Sequence, residues 1–129
     1  MPLFLELDEV LQIHAYQVAR FGGDAAILDI GKLESAIAQP AQEIGGQYLH
    51  PELETMAAAY LFHIVRNHPF ADGNKRTGMH AAIVFLELND CPVELPVDEA
   101  ELMTLRIARG EVGKAEAAAF FKQWMRTNK

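Results

Sequence analysis

Between two apolar stretches of helical character the chain places the run "HPFADGNKRTG", residues 68–78, and this break constrains the fold more than any other feature. On its N-terminal side no Asp, Glu, Lys or Arg occurs for eleven positions after Glu54. There Leu53, Met56, Ala57, Tyr60, Leu61 and Ile64 recur at the spacing of one helix face. Pro51 at the first turn, with Glu52 and Glu54 near the positive helix end, opens this helix. It must stop near Asn67, because Pro69 pushes His68 out of the right-handed α region. On the far side "RTGMHAAIVFLEL" is apolar nearly all round until Asn89 and Asp90, which predicts an innermost helix covered on several sides.

The remaining segments supply four more helices. Asp8 is the expected cap of a first one, with Val10, Leu11, Ala15 and Val18 at helical spacing and Gly22 and Gly23 ending it. A short second helix runs from Gly31 to Gln39, carries Leu33, Ala36 and Ile37, and is closed by Pro40. "AQEIGGQYLH" has no helical period and reads as a flap or small hairpin over residues 41–50. After the extended "PVELP", Asp98 with Glu101 resembles a capping box for a helix to Arg109. The last helix runs from Gly113 to Thr127, with Ala117, Phe121, Trp124 and Met125 on one face. The expected architecture is an all-α bundle of about six helices around a buried central one, a single domain over residues 1–129.

A net charge of −7 argues against the broad basic surface that nucleic-acid binding needs, while leaving room for a local cationic patch. Cys91 is the only cysteine, so no internal disulfide is available, and its expected place is as a small buried hydrophobe after a turn. No Cys and His cluster has zinc spacing. The start "MPLFLELDEV" is too short and acidic for a signal peptide, and no apolar run reaches the roughly 18 residues of a membrane span. A soluble protein of the reducing cytoplasm is expected.

The loop between the two apolar helices faces the N-terminus of the second, where unpaired N–H groups and the helix dipole favour an anion. Gly73 removes the side chain where a phosphate would approach the backbone. Asn74 can cap the helix and still offer an amide. Lys75 and Arg76 stand in the first turn, the wrong end for cations, and a bound anion would offset that penalty. Asp72 offers one hard oxygen ligand, enough for Mg²⁺ when nucleotide phosphates and water fill the other positions. The like charge of Lys75 and Arg76 favours a neutral His68 near pH 7, ready to accept a proton from an attacking hydroxyl. Each residue also has a plain reading: His68 as a turn histidine, Asp72–Gly73 as a routine turn, Lys75 and Arg76 as a solvated helix end, Phe70 as a core plug. Arg66 is either a dipole partner at the end of its helix or a phosphate contact.

His68, Phe70, Asp72, Gly73, Asn74 and Arg76 together match H-x-F-x-[D/E]-G-N-x-R, and by this signature the chain resembles the Fic family. "RFGG", "LESAIAQP", "HPFADGNKRT" and "FLELN" are similar to the short death-on-curing (Doc) toxins of that family, in the same order. The resemblance implies a compact helical bundle. Fic AMP-transferases usually carry Gly at the place of Lys75 and a second Arg at the place of Met79; the Doc branch resembles this chain at both. It further implies a toxin of a toxin–antitoxin pair, acting as a protein kinase that passes the γ-phosphate of ATP to a threonine of elongation factor Tu. In that reading His68 is the general base, Asp72 holds Mg²⁺, and Arg66, Gly73, Asn74, Lys75 and Arg76 bind phosphates. His80 stands where Doc has asparagine, which leaves either an altered polar contact or simple packing. No [S/T]-x-x-x-E-[G/N] inhibitory motif occurs, so control is expected from an antitoxin whose C-terminal segment lies in a groove of the bundle. AMP transfer to a protein hydroxyl and a catalytically silent anion-binding module are the alternatives.

Overall fold

Helices α1 (Leu7–Phe21), α2 (Ile30–Ala38), α3 (Leu53–Asn67), α4 (Asn74–Leu88), α5 (Val97–Ala108) and α6 (Lys114–Trp124) carry the chain in a computed structural model that describes residues 1–125. A 3₁₀ turn, Gln39–Ala41, and an antiparallel hairpin of β1 (Glu43–Ile44) and β2 (Gln47–Tyr48) lie between α2 and α3. The expected flap is this hairpin. Its two central residues, Gly45 and Gly46, have φ of 59° and 79°, the positive values a two-residue turn needs to follow the strand twist.

Alanine and aliphatic residues around the whole circumference of one helix let neighbours approach from every side, and α3 shows the result. Residues Met56 to Leu61 are buried without a break, and α2, α4, α5 and α6 all pack on this helix, while α1 lies against α4. The all-α bundle with a buried central helix is therefore observed. The helix in the middle is α3 rather than the expected α4, which exposes Lys75, Arg76, His80, Glu87 and Leu88. α3 and α4 meet closely at Gly78: a Cβ there would sit 3.0 Å from Val65 Cγ2 and 3.3 Å from the Leu61 carbonyl.

The N-terminal stretch is tied across this core. Leu5 N–H donates to the Tyr60 hydroxyl at 2.8 Å, and the Asn89 amide bonds both polar groups of Leu3 while capping α4 through the Phe85 carbonyl. Tyr60 and Phe85 pack at 5.2 Å between ring centroids, and burial pushes the Tyr60 phenol up to about 12. Cys91 is half-buried against the core, and the same effect raises its thiol.

Several expected boundaries shift. α1 is capped by Glu6, whose N–H is taken by the Glu9 carboxylate at 2.9 Å, so Asp8 sits inside the first turn. α3 begins after Glu52, whose N–H donates to the Thr55 hydroxyl, leaving Pro51 outside. α5 begins at Val97, one residue before Asp98, with Pro96 in the cap position. At α1 and α5 an extended residue preceding the expected one already provides the turn into the helix, and at α3 the extended Glu52, one residue after Pro51, does so. α6 is described to Trp124, and Met125 bridges to Val93; Thr127, the expected end, lies outside the described residues. Among the described residues no helix is long and apolar enough to cross a membrane.

At the α3–α6 contact the Lys114 ammonium donates to Nε2 of His50 at 3.1 Å and of His63 at 3.2 Å. Burial, then the charge of Lys114 and the neighbouring His50, brings His63 down to about 4. The unfolded chain binds this proton first, so the stability that neutral His63 contributes is complete above about pH 6.5 and is lost as pH falls toward 4. Urea unfolding should show falling stability over that window, and His63→Gln should flatten the fall. Gly78→Val should lower unfolding free energy by about 1–3 kcal/mol, since the added methyls overpack the α3–α4 contact.

Candidate active site

The six residues that join α3 to α4 owe their shape to one side chain. Asn74, buried at the first position of α4, accepts the Phe70 N–H on Oδ1 at 3.0 Å and donates from Nδ2 to the Phe70 carbonyl at 2.8 Å. The expected capping role is thereby corrected: Gly73, left-handed at φ 83°, ψ 11°, is the cap residue, and the Asn74 amide closes the loop instead. The second Nδ2 hydrogen faces His68 Nδ1 at 3.1 Å. Nε2 of the same ring lies 3.4 Å from that amide nitrogen, so Asn74 registers the edge of the imidazole.

His68 is exposed and adopts φ 50°, ψ 56°, a left-handed conformation that costs a non-glycine residue about 1–2 kcal/mol. The proline that follows explains why α3 ends there, and the N–H of His68 still bonds the Ile64 carbonyl. Such strain concentrates where a side chain must be aimed. Phe70, fully buried, is the anchor that was expected of it.

A strap over residues 22–29 runs antiparallel to this loop. Leu28 and Asp29 donate to the Pro69 carbonyl, Ala71 donates to the Ala26 carbonyl, and Ile27 bridges Phe70. The strap also holds Asp72: the Asp24 N–H donates to Oδ2 at 2.7 Å. Gly23, at φ 113°, leaves the space that Asp72 fills, for a Cβ there would be 2.9 Å from the Asp72 Cβ. From α1, His14 stacks on Phe70 at 3.6 Å and places Nε2 2.8 Å from the Asp72 carbonyl.

The structure thus brings His68, Asp72, Gly73 and Asn74 into one short loop, with Lys75 and Arg76 exposed on the first turn of α4. The Arg76 guanidinium lies 4.3 Å from the Phe21 ring centroid, a cation–π contact that orients it. Arg66 leads elsewhere. Its Nη1 donates weakly to the Ala108 carbonyl at 3.4 Å, and it lines a cavity of about 410 Å³ with Asp29, Gly31, Lys32, Ser35 and Asn67. His80 is exposed one turn beyond Arg76, and Met79 is buried. Three contributors were missed in the sequence: His14, Asp24 through its backbone, and Phe21. Only His14 left a trace there, as a polar residue four positions after Val10 on the buried stripe of α1.

The donor set suits Mg²⁺ with a nucleotide. Among the described residues no three acids, histidines or cysteines group as a metal cage, so a cation at Asp72 has a single carboxylate and must take its other ligands from phosphate and water. The left-handed Gly73 exposes the α4 N-terminus next to it.

The sequence model of the Fic/DOC family matches residues 4–86, which include the strap, the loop and α4 almost to its end. The chain belongs to the Fic/DOC family. It is similar to Toxin Doc of Mycolicibacterium smegmatis, 37% identical over 110 residues that cover 84% of this chain and 82% of that protein. It is also similar to Protein kinase doc of Escherichia phage P1, 30% identical over 113 residues, 86% of each. The family likeness therefore extends from the strap through the loop that the Asn74 amide closes.

Asn74→Ala would leave the buried Phe70 N–H and carbonyl without their partner. It should cost about 1–3 kcal/mol in urea unfolding and speed amide exchange over residues 68–73.

Proposed function

We propose that this member of the Fic/DOC family is the toxin of a toxin–antitoxin pair and a protein kinase, passing the γ-phosphate of ATP to a threonine hydroxyl of a translation factor, elongation factor Tu by its likeness to Doc toxins. The observation that carries the reading is the pairing of Lys75 on the first turn of α4 with a buried Met79. Lys75 takes room that the α-phosphate would use in AMP transfer, and Met79 adds no donor for the distal phosphates. Asp72, Gly73 and Arg76 would serve AMP transfer equally well; these two residues favour the kinase. Two relatives named as a Doc toxin and a Doc protein kinase support both halves of the reading.

The steps are few. The N–H groups at the start of α4, with Lys75 and Arg76, take the transferred phosphoryl group and spread its charge. Asp72 would hold Mg²⁺, which when bound neutralises phosphate charge. Arg66 contributes to the phosphates only if its guanidinium leaves the Ala108 carbonyl. The incoming hydroxyl meets the unprotonated ring nitrogen of His68, whose imidazole the Asn74 amide registers at 3.1 Å. The proton moves to His68 as the hydroxyl oxygen bonds phosphorus and ADP leaves. Positioning and charge neutralisation do most of this work, which suits a site of so few groups. The C-terminal segment of an antitoxin, seated in a groove of the bundle, would silence it in the cytoplasm.

ATP labelled at the γ- or α-phosphate, incubated with Mg²⁺, the protein and a bacterial lysate, decides the chemistry. Label should reach a protein band from the γ position only; transfer from the α position alone overturns the kinase. His68→Ala should lower the rate by about 10² to 10⁴ and abolish toxicity without antitoxin. Lys75→Gly should impair γ-transfer, and full activity in that variant would remove the lysine from the mechanism.

A further inference from the structure

His14 is the most deeply enclosed of the five histidines, at 3% exposure, and it lies on α1, the helix whose last residue, Phe21, packs on Arg76. Its ring stacks on Phe70 with 7° between the planes, and its Nε2 lies 2.8 Å from the Asp72 carbonyl oxygen. A carbonyl only accepts, so Nε2 carries the proton and donates. A phenylalanine at this position would give the same stack without burying a polar ring. What the imidazole adds is one directed donor.

That donor acts on the peptide joining Asp72 to Gly73. In a planar trans peptide the C=O and the N–H point in opposite directions. Drawing the Asp72 carbonyl toward α1 therefore turns the Gly73 N–H away from α1. Gly73 is the left-handed cap of α4, at φ 83°, and a left-handed glycine has wide freedom to rotate its flanking peptides unless something holds them. Nothing in the Asn74 latch grips this peptide, since its bonds go to Phe70 and His68.

We infer that His14 is a positioning residue: by holding the Asp72 carbonyl it fixes the 72–73 peptide and presents the Gly73 N–H as a preset donor to the transferred phosphoryl group. The inference rests on the phosphoryl-transfer reading of the loop. A donor that is already aimed costs no reorganisation when charge shifts in the transition state, whereas a freely rotating one does.

The test compares His14→Phe, which keeps a ring on Phe70 and removes the donor, with His14→Gln, whose amide can still donate. Wild-type protein is first assayed with γ- and α-labelled ATP; transfer from neither means that the reading of the loop has failed, apart from anything about His14. With transfer established, H14F should lower kcat by about ten- to a hundredfold while KM for ATP changes less than about threefold. H14Q should recover most of the lost rate. Amide exchange without nucleotide should quicken at residues 72–74 in H14F and stay unchanged in α3 and α6. Wild-type kcat in H14F, or equal impairment of H14F and H14Q, would overturn the inference while leaving the loop's chemistry standing. Loss of protection throughout H14F would overturn it too, because His14 would then hold the bundle rather than one peptide.

Discussion

A single amide closing on both polar groups of one buried residue sets the geometry on which the rest depends. Asn74 takes the N–H and the carbonyl of Phe70, and with them it ties the six-residue passage from α3 to the start of α4. The remaining amide hydrogen faces His68, so the same side chain that shapes the loop also registers its imidazole. Phe70 is fully buried, and neither of its backbone groups could be left bare without a large cost.

The loop is gripped from three sides, and each grip serves a different atom. The strap after α1 pairs with residues 69 to 71 and seats the Asp72 carboxylate on the Asp24 N–H. His14 holds the Asp72 carbonyl, and Phe21 gives Arg76 an aromatic face. α1 and its continuation thus supply second supports for a candidate site whose groups lie on the α3–α4 connection and the first turn of α4. This explains why an acidic chain of net charge −7 tolerates two cations at the positive end of a helix. The local cost is small beside the packing of α3 and α4, and an anion bound at that end would reverse it.

Much of this was legible in the amino-acid order. Helical spacing on either side of residues 68–78, the proline after His68 and the paired glycines of the flap gave the all-α plan and the hairpin. The signature residues drew attention to the loop that the Asn74 amide closes. What the order concealed was long-range or backbone-mediated. Whether α3 or α4 lies innermost depends on how many neighbours each meets, and both are apolar around most of their circumference. Helix caps moved because glutamates and a proline outside the preferred cap residues took those positions. Gly23 reads as a helix terminator in sequence; that it also clears room for Asp72, 49 positions later, appears only when strap and loop are side by side. Arg66 matched the pattern, and that its guanidinium bonds the Ala108 carbonyl, 42 positions later, is a long-range contact the order does not show.

A titration of isotope-labelled protein with magnesium and a non-hydrolysable ATP analogue, followed by backbone amide resonances, reads out whether the start of α4 is a phosphate site. With phosphate bound there, the largest shifts fall on residues 73–76 and saturate together. Saturating shifts confined to another surface, such as the cavity beside Lys32 and Ser35, with residues 73–76 unmoved, would contradict that assignment.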